Sequence, residues 1–143
     1  MHTSDSLAEL LRCRAEGPLK TDGFEGSGAD FMPEYKSTIE NGQTIIDSPH
    51  KVYGPEANDL SLQLRKADID KVILAGMSVN LCVRARLHEL LEQSYEVAVV
   101  RDATAEARLP EGDGYLAAII NFRYIANALW TTDEAITRIT EAT

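Results

Sequence analysis

The run Lys71-Val72-Ile73-Leu74-Ala75-Gly76-Met77-Ser78-Val79-Asn80-Leu81-Cys82-Val83 changes its hydrophobic pattern halfway along. Residues 71–77 are almost continuously apolar, which predicts a strand buried on both faces of a parallel sheet. Beyond the turn, Val83, Leu87, Leu90 and Leu91 recur at helical spacing and predict an amphipathic helix over 82–93. Cys82 falls near the first turn of that helix. Backbone N–H groups and the positive dipole end there favour a thiolate over a thiol, and the thiolate is the form that attacks a carbonyl carbon. The competing reading is a buried cysteine packed as a small hydrophobe, and placement alone favours it.

Working outward, strands and helices alternate. Residues 1–16 read as a helix with Leu7, Leu10 and Leu11 on one side, ended by Gly17-Pro18. Residues 17–43 are loop-rich, with one short helix around 30–36. Thr44-Ile45-Ile46-Asp47 reads as a short strand, with Ser48-Pro49-His50-Lys51 at its C-terminal end. A helix starts near Pro55 and runs to Lys66 with Leu60 and Leu64 inward. After the 71–77 strand and the 82–93 helix come a strand over 96–101, a loop through Pro110 and a helix over 113–124. A strand over 126–131 and a helix from Thr132 complete the chain. This alternation predicts βαβ crossovers and a three-layer α/β/α, Rossmann-like fold with a parallel sheet. The division is an N-terminal helix and loop segment, 1–43, and a single α/β core, 44–143. Ligands in such sheets bind beyond the carboxyl ends of the strands, where Lys51, Cys82 and Asp102 all fall.

Composition narrows the class. The chain has 143 residues, 44% hydrophobic and 26% charged, as an ordinary globular domain does. A net charge of −9 disfavours nonspecific binding to nucleic acid or to an anionic membrane. No apolar stretch reaches bilayer-spanning length and Met1 opens no signal peptide, so a cytoplasmic location is expected. Cys13 and Cys82 form neither a disulfide framework nor a zinc site, and a reduced pair is expected. His2, His50 and His88 lack metal-ligand spacing. A redox or flavin-binding domain would need a glycine-rich phosphate loop or a Cys-x-x-Cys pair, and the sequence has neither. No metal and no cofactor are expected.

A resemblance adds to this reading. The pieces that carry it are Ser48-Pro49-His50-Lys51 with Asn58-Asp59-Leu60, Val72-Ile73-Leu74-Ala75-Gly76, Asn80-Leu81-Cys82-Val83, Val97 through Thr104, and Ala128-Leu129-Trp130-Thr131-Thr132. From Ile45 to about Asp133 the chain resembles the C-terminal part of the isochorismatase-like cysteine hydrolases, which include nicotinamidases, carbamoylsarcosine amidohydrolases and isochorismatases. The glycine-to-Cys-Val spacing after an apolar strand is its most specific element. The resemblance implies that Cys82 is the nucleophile and that Lys51 is the lysine beside it in an Asp-Lys-Cys triad. It further implies a cis Met77–Ser78 peptide, with the N–H groups of Ser78 and Cys82 forming an oxyanion hole.

The third triad member has no match. The family's aspartate ends a first apolar strand, and residues 1–20 contain no such run. Asp22 and Asp30 lie in a glycine-rich loop and read as solvated carboxylates. Asp47, on the strand before Lys51, is the most plausible substitute acid/base. Four strands are legible against the family's six, so the chain reads as truncated, with strand edges that another copy would cover. Asp102 reads as structural, bonding the turn at Thr104, and Arg84 and Arg86 read as a solvated helix face. Trp130, Tyr115, Phe122 and Tyr124 read as core and subunit contact. The expected function is hydrolysis of a C–N bond in a small amide or carbamoyl substrate by a homo-oligomer, impaired without the aspartate. The alternative is a noncatalytic remnant or interaction domain that keeps the fold.

Overall fold

The computed structural model describes Gly26, residues 31–45 and residues 58–142. The chain divides into two units, Met1–Pro49 and His50–Thr143. In the first, helix α1 (Pro33–Ile39) opens on a proline, whose fixed φ suits a first helical position. It starts later and ends later than the helix expected around 30–36. Beyond it, the Asn41 side-chain oxygen accepts from the N–H groups of Gln43 (2.8 Å) and Thr44 (3.0 Å). The strand expected over 44–47 is not formed at Thr44 or Ile45, and at Thr44 a side chain has taken the backbone donor a sheet would use. Ile46, Asp47 and the helix expected over 1–16 lie outside the described residues.

The second unit holds the α/β core. Its elements are α2 (Leu60–Lys66), β1 (Lys71–Met77), a π-helical turn (Val79–Val83), α3 (Arg84–Glu92), β2 (Glu96–Ala105), β3 (Arg108–Leu109), β4 (Gly112–Asp113), α4 (Gly114–Ile125), β5 (Ala128–Trp130) and α5 (Thr132–Glu141). Strands β1, β2 and β5 form a parallel sheet in that order, with β2 central. A small antiparallel pair, β3 with β4, spans the end of the expected loop through Pro110 and the first residue of the helix expected over 113–124, and Arg108 and Asp113 brace it across 3.4 Å. The helix expected from Cys82 is π-helical as far as Val83 and α-helical only from Arg84.

Helices α2 and α3 end alike and each feeds a strand. Asp68 (φ 55°) and Ser94 (φ 70°) take left-handed backbone. The following N–H groups, of Ile69 and Tyr95, reach back to Leu64 and Leu90 at 3.0 Å each. This is the Schellman closure, which satisfies carbonyls left over at a helix end. Leu90 and Tyr95 both lie in the core, so the chain reversal is packed as well as hydrogen-bonded.

The core forms where the helical and strand periodicities meet. Val79, Val83, Leu87 and Leu90 recur along one side of the turn and α3, and pack with Val97 and Val99 of β2 and Ala118, Ile119 and Phe122 of α4. Each fully buried aliphatic or aromatic side chain there contributes about 1.5–3 kcal/mol relative to exposure. Ala98 and Val100 alternate to the opposite face, where α5 packs on β2 and β5. The result is three layers.

Strand β1 departs from its expected burial. Val72 and Leu74 pack against the core, but Ile73 is 42% exposed and Met77 72%. The strand buried on both faces is β2, where Val97 through Val100 are all buried. Position explains the difference. Strand β2 has neighbours on both sides, whereas β1 has one among the described residues, and α5 covers β2 and β5.

Candidate active site

The site is built at the C-terminal end of β1. Gly76 takes φ +118°, a conformation that disfavours any side chain. It sits beside a break in register. From Lys71 to Leu74 each residue pairs with the β2 residue 25 positions on (Lys71 with Glu96, 96 − 71), but Gly76 pairs with Thr104, 28 positions on (104 − 76). Strand β2 thus carries three extra residues before Thr104 and Ala105 rejoin β1 at Gly76 and Met77. A glycine in a strand commonly marks such an irregularity.

The Met77–Ser78 peptide is cis, and the chain then enters the π-helical turn. The Ser78 carbonyl accepts from the N–H groups of both Leu81 (3.1 Å) and Val83 (3.2 Å). The second of these is an i to i+5 bond, a geometry that recurs at functional sites. Val79 and Val83 are buried and anchor the turn in the core, while Ser78, Asn80 and Cys82 are half-buried. The turn therefore presents the cysteine from a fixed base.

Opposite the turn lies a carboxylate that the sequence reading did not single out. Glu106 Oε2 accepts from the Asn80 N–H at 3.0 Å, and its Oε1 accepts from the Ala107 N–H at 3.0 Å. The Ala107 N–H does most to hold the Glu106 carboxyl below the usual glutamate range; desolvation opposes this, while the Asn80 N–H and the Ser78 hydroxyl add to the lowering. Glu106 follows Ala105 directly, so the register shift is what brings it to the end of β1.

Asp102 serves another element. Its Oδ1 accepts from the Thr132 N–H at 2.8 Å and the Thr132 hydroxyl at 3.0 Å, fastening the start of α5 to β2. The Thr104 hydroxyl bonds instead to the Arg101 carbonyl at 2.9 Å. Arg84 is exposed and Arg86 half-buried. Among the aromatics, Phe122 is buried in the core, the Tyr115 hydroxyl donates to the Arg101 carbonyl at 2.8 Å, and Arg138 lies 4.9 Å over the Trp130 ring. Lys51 and Asp47 lie outside the described residues. Among the described residues no group of three or more His, Cys, Asp or Glu is placed to hold a metal ion. No helix there is long and apolar enough to cross a membrane.

Solved structures with the same architecture share this arrangement of layers. A cysteine hydrolase from Pseudomonas syringae pv. phaseolicola 1448A superposes with a TM-score of 0.66 at 24% identity, over 70% of this chain and 51% of that one. An isochorismatase-like hydrolase from Alkaliphilus metalliredigens gives 0.56 at 24% identity, over 86% and 64%. The nicotinamidase PncA from Bacillus subtilis gives 0.59 at 21%, over 69% and 53%. At these identities the likeness is one of fold, and this chain spans about half to two thirds of the length of those structures. The isochorismatase domain matches residues 12–134, reaching well upstream of Ile45. With most of its length matched, the chain belongs to the isochorismatase family.

Proposed function

We propose that this chain hydrolyses a C–N bond in a small amide or carbamoyl compound, with Cys82 as nucleophile. The observation that carries the reading is the placement of Cys82 on a core-anchored π-helical turn at the C-terminal end of a parallel strand. The Cys82 thiolate adds to the substrate carbonyl carbon, and the carbonyl electron pair moves to oxygen. The N–H groups of Ser78 and Cys82 are the candidate donors to that oxyanion, a contribution often among the largest in acyl transfer. The pair then returns, the C–N bond breaks, and the amine departs with a proton to leave a thioester on Cys82. Water adds to the thioester, its proton passes to a base, and the carboxylic acid leaves as the thiolate is restored.

Lys51 is the candidate to stabilise the thiolate, since an ammonium beside a thiol favours its ionised form. Asp47 is the candidate for the proton transfers. Without a positioned acid/base a loss of about 10²–10⁴ in rate is expected.

Turnover of a panel of amides and carbamoyl compounds, nicotinamide included because a nicotinamidase shares the fold, tests the reading. Slow hydrolysis abolished in Cys82→Ala and further depressed in Asp47→Asn is the expected result. Hydrolysis retained by Cys82→Ala refutes it. Alkylation adds a substrate-free test: Cys82 reacts faster than Cys13 near neutral pH. Equal rates, each with an ordinary thiol pKa of about 8.5, count against activation.

One observation favours the alternative of a noncatalytic interaction domain. Ile73 and Met77 leave apolar surface on β1 open among the described residues, and such a face suits a partner. Absence of turnover on the whole panel together with an unreactive Cys82 would favour it.

A further inference from the structure

We propose that Glu106 is a positioning residue for the nucleophile turn, and that Gly114 lacks a side chain so that Glu106 can reach it. The proposal rests on the reading of Cys82 as the nucleophile. Three observations converge on it.

The first is the division of labour between the two carboxylate oxygens. Oε2 takes the N–H of Asn80 and Oε1 takes the N–H of Ala107, both at 3.0 Å. Asn80 is the middle residue of the Ser78–Cys82 segment, so the bond ties the turn to the end of β2 across 26 residues of sequence. A carboxylate satisfies both donors at once. A glutamine in its place has one accepting oxygen, and its amide nitrogen would meet the second N–H donor to donor.

The second is the register shift. Had the 25-residue offset continued, Met77 would pair with Asp102 (77 + 25); the three extra residues of β2 put Ala105 there instead, with Glu106 next along the chain.

The third is the space at Gly114, the first residue of α4. A Cβ built there would lie 2.7 Å from Glu106 Cγ and 3.5 Å from the Ala107 carbonyl oxygen. The second distance is ordinary contact, but the first is one that real Cβ atoms essentially never show, so Glu106 would have to shift, and its tip is held by the hydrogen bonds to Asn80 and Ala107. Gly114 has no positive φ that would otherwise demand a glycine. Its lack of a side chain is explained by what lies against it.

Alkylation of Cys82 by iodoacetamide, measured against pH in the full chain carrying Cys13→Ser, reads the turn without a substrate. Glu106→Gln and Gly114→Ala are each expected to slow the reaction by about fivefold or more at neutral pH, the effect of losing one aligned hydrogen bond. The two variants separate position from charge. Glu106→Gln removes a negative charge, which by itself would favour the thiolate and speed alkylation, whereas Gly114→Ala leaves the charge in place. Slowing in both therefore supports positioning; acceleration in Glu106→Gln with no change in Gly114→Ala overturns it. Coupling is the second readout. With Glu106→Ala the crowding atom is gone, so adding Gly114→Ala is expected to slow the reaction no further. Additive losses would refute the link between the two residues. Should Gly114→Ala unfold the chain, as a thermal scan would show, Glu106→Asp replaces it: one methylene shorter and still charged, it is expected to slow alkylation, and an unchanged rate overturns the proposal. The unsubstituted chain distinguishes the two levels of inference. A Cys82 no more reactive than an ordinary thiol sinks the nucleophile reading and this proposal with it, whereas a reactive Cys82 indifferent to Glu106 sinks this proposal alone.

Discussion

Removing the Asp102 carboxylate should weaken the fold and spare the chemistry. Asp102 Oδ1 accepts two hydrogen bonds from Thr132, one from its backbone N–H at 2.8 Å and one from its hydroxyl at 3.0 Å. Thr132 is the first residue of α5, so the carboxylate also sits at the positive end of a helix. Hydrogen bonds to a charged acceptor contribute roughly 1.5–3 kcal/mol when shielded. These are solvent-exposed, which brings them nearer to a surface N-cap, about 0.5–2 kcal/mol. Asp102→Ala should therefore cost about 1–2 kcal/mol, lowering the thermal midpoint of a chain this size by about 3–8 °C. Asp102→Asn keeps an accepting oxygen and loses only the charge, so it should cost about half as much, largely the helix-dipole contribution of about 0.3–1 kcal/mol. Circular dichroism melts give the stability, and iodoacetamide alkylation gives the state of Cys82. Both variants should alkylate at the unsubstituted rate. A hundredfold loss of turnover or of thiol reactivity with the melt unchanged would refute the structural assignment and implicate Asp102 in the chemistry.

Two further predictions rest on backbone and surface. Ser94 holds a left-handed φ of 70° at the end of α3; Ser94→Gly should raise stability by about 0.5–1 kcal/mol, because glycine takes that conformation without steric cost but gives up more chain entropy, and a urea midpoint that stays put or falls would count against it. Leu116, Ile120 and Tyr124 recur every four residues on α4 and are 55%, 51% and 83% exposed, a stripe that would be self-complementary if two copies packed antiparallel about Ile120; light scattering should show association in the unsubstituted chain and its loss in Ile120→Asp, and an unchanged mass refutes the pairing.

Elements with one clean periodicity were legible in the sequence. The strand expected over 96–101 forms, with Val97 to Val100 buried, and runs on to Ala105; Leu87 and Leu90 mark the inward side of α3, with Val83 just ahead of it in the π-helical turn. The bounds of β1 were equally plain, yet its burial was not. An apolar run records that a strand suits a dry environment, and whether a helix lies over it depends on the layers on either side. The end of β2 was misread for a related reason. Arg101 and Asp102 look like the polar close of a strand, whereas the pairing resumes at Thr104 and Ala105 after the shift. A register shift has no local sequence signature beyond a glycine such as Gly76, and that glycine lies on the partner strand.

The same shift decides what each acidic residue does. With uniform pairing, Asp102 would stand beside Met77, next to the π-helical turn that carries Cys82, where its position after a buried strand makes it look catalytic. Three extra residues on β2 release it, and its carboxylate closes on Thr132 at the start of α5. Glu106, four residues later in what reads as a polar loop, takes the place at the turn and receives the Asn80 N–H. Roles that sequence position would assign to one carboxylate are thereby divided between two. Carboxylates near the end of a strand are best assigned from the register of the neighbouring strand, because that register fixes which donors each can reach. For this chain it places Asp102 with the helix cap and Glu106 with the cysteine turn, and the acid/base of the proposed reaction is to be sought elsewhere. Glu106 is a poor candidate for that work, because both its oxygens are already engaged by backbone donors.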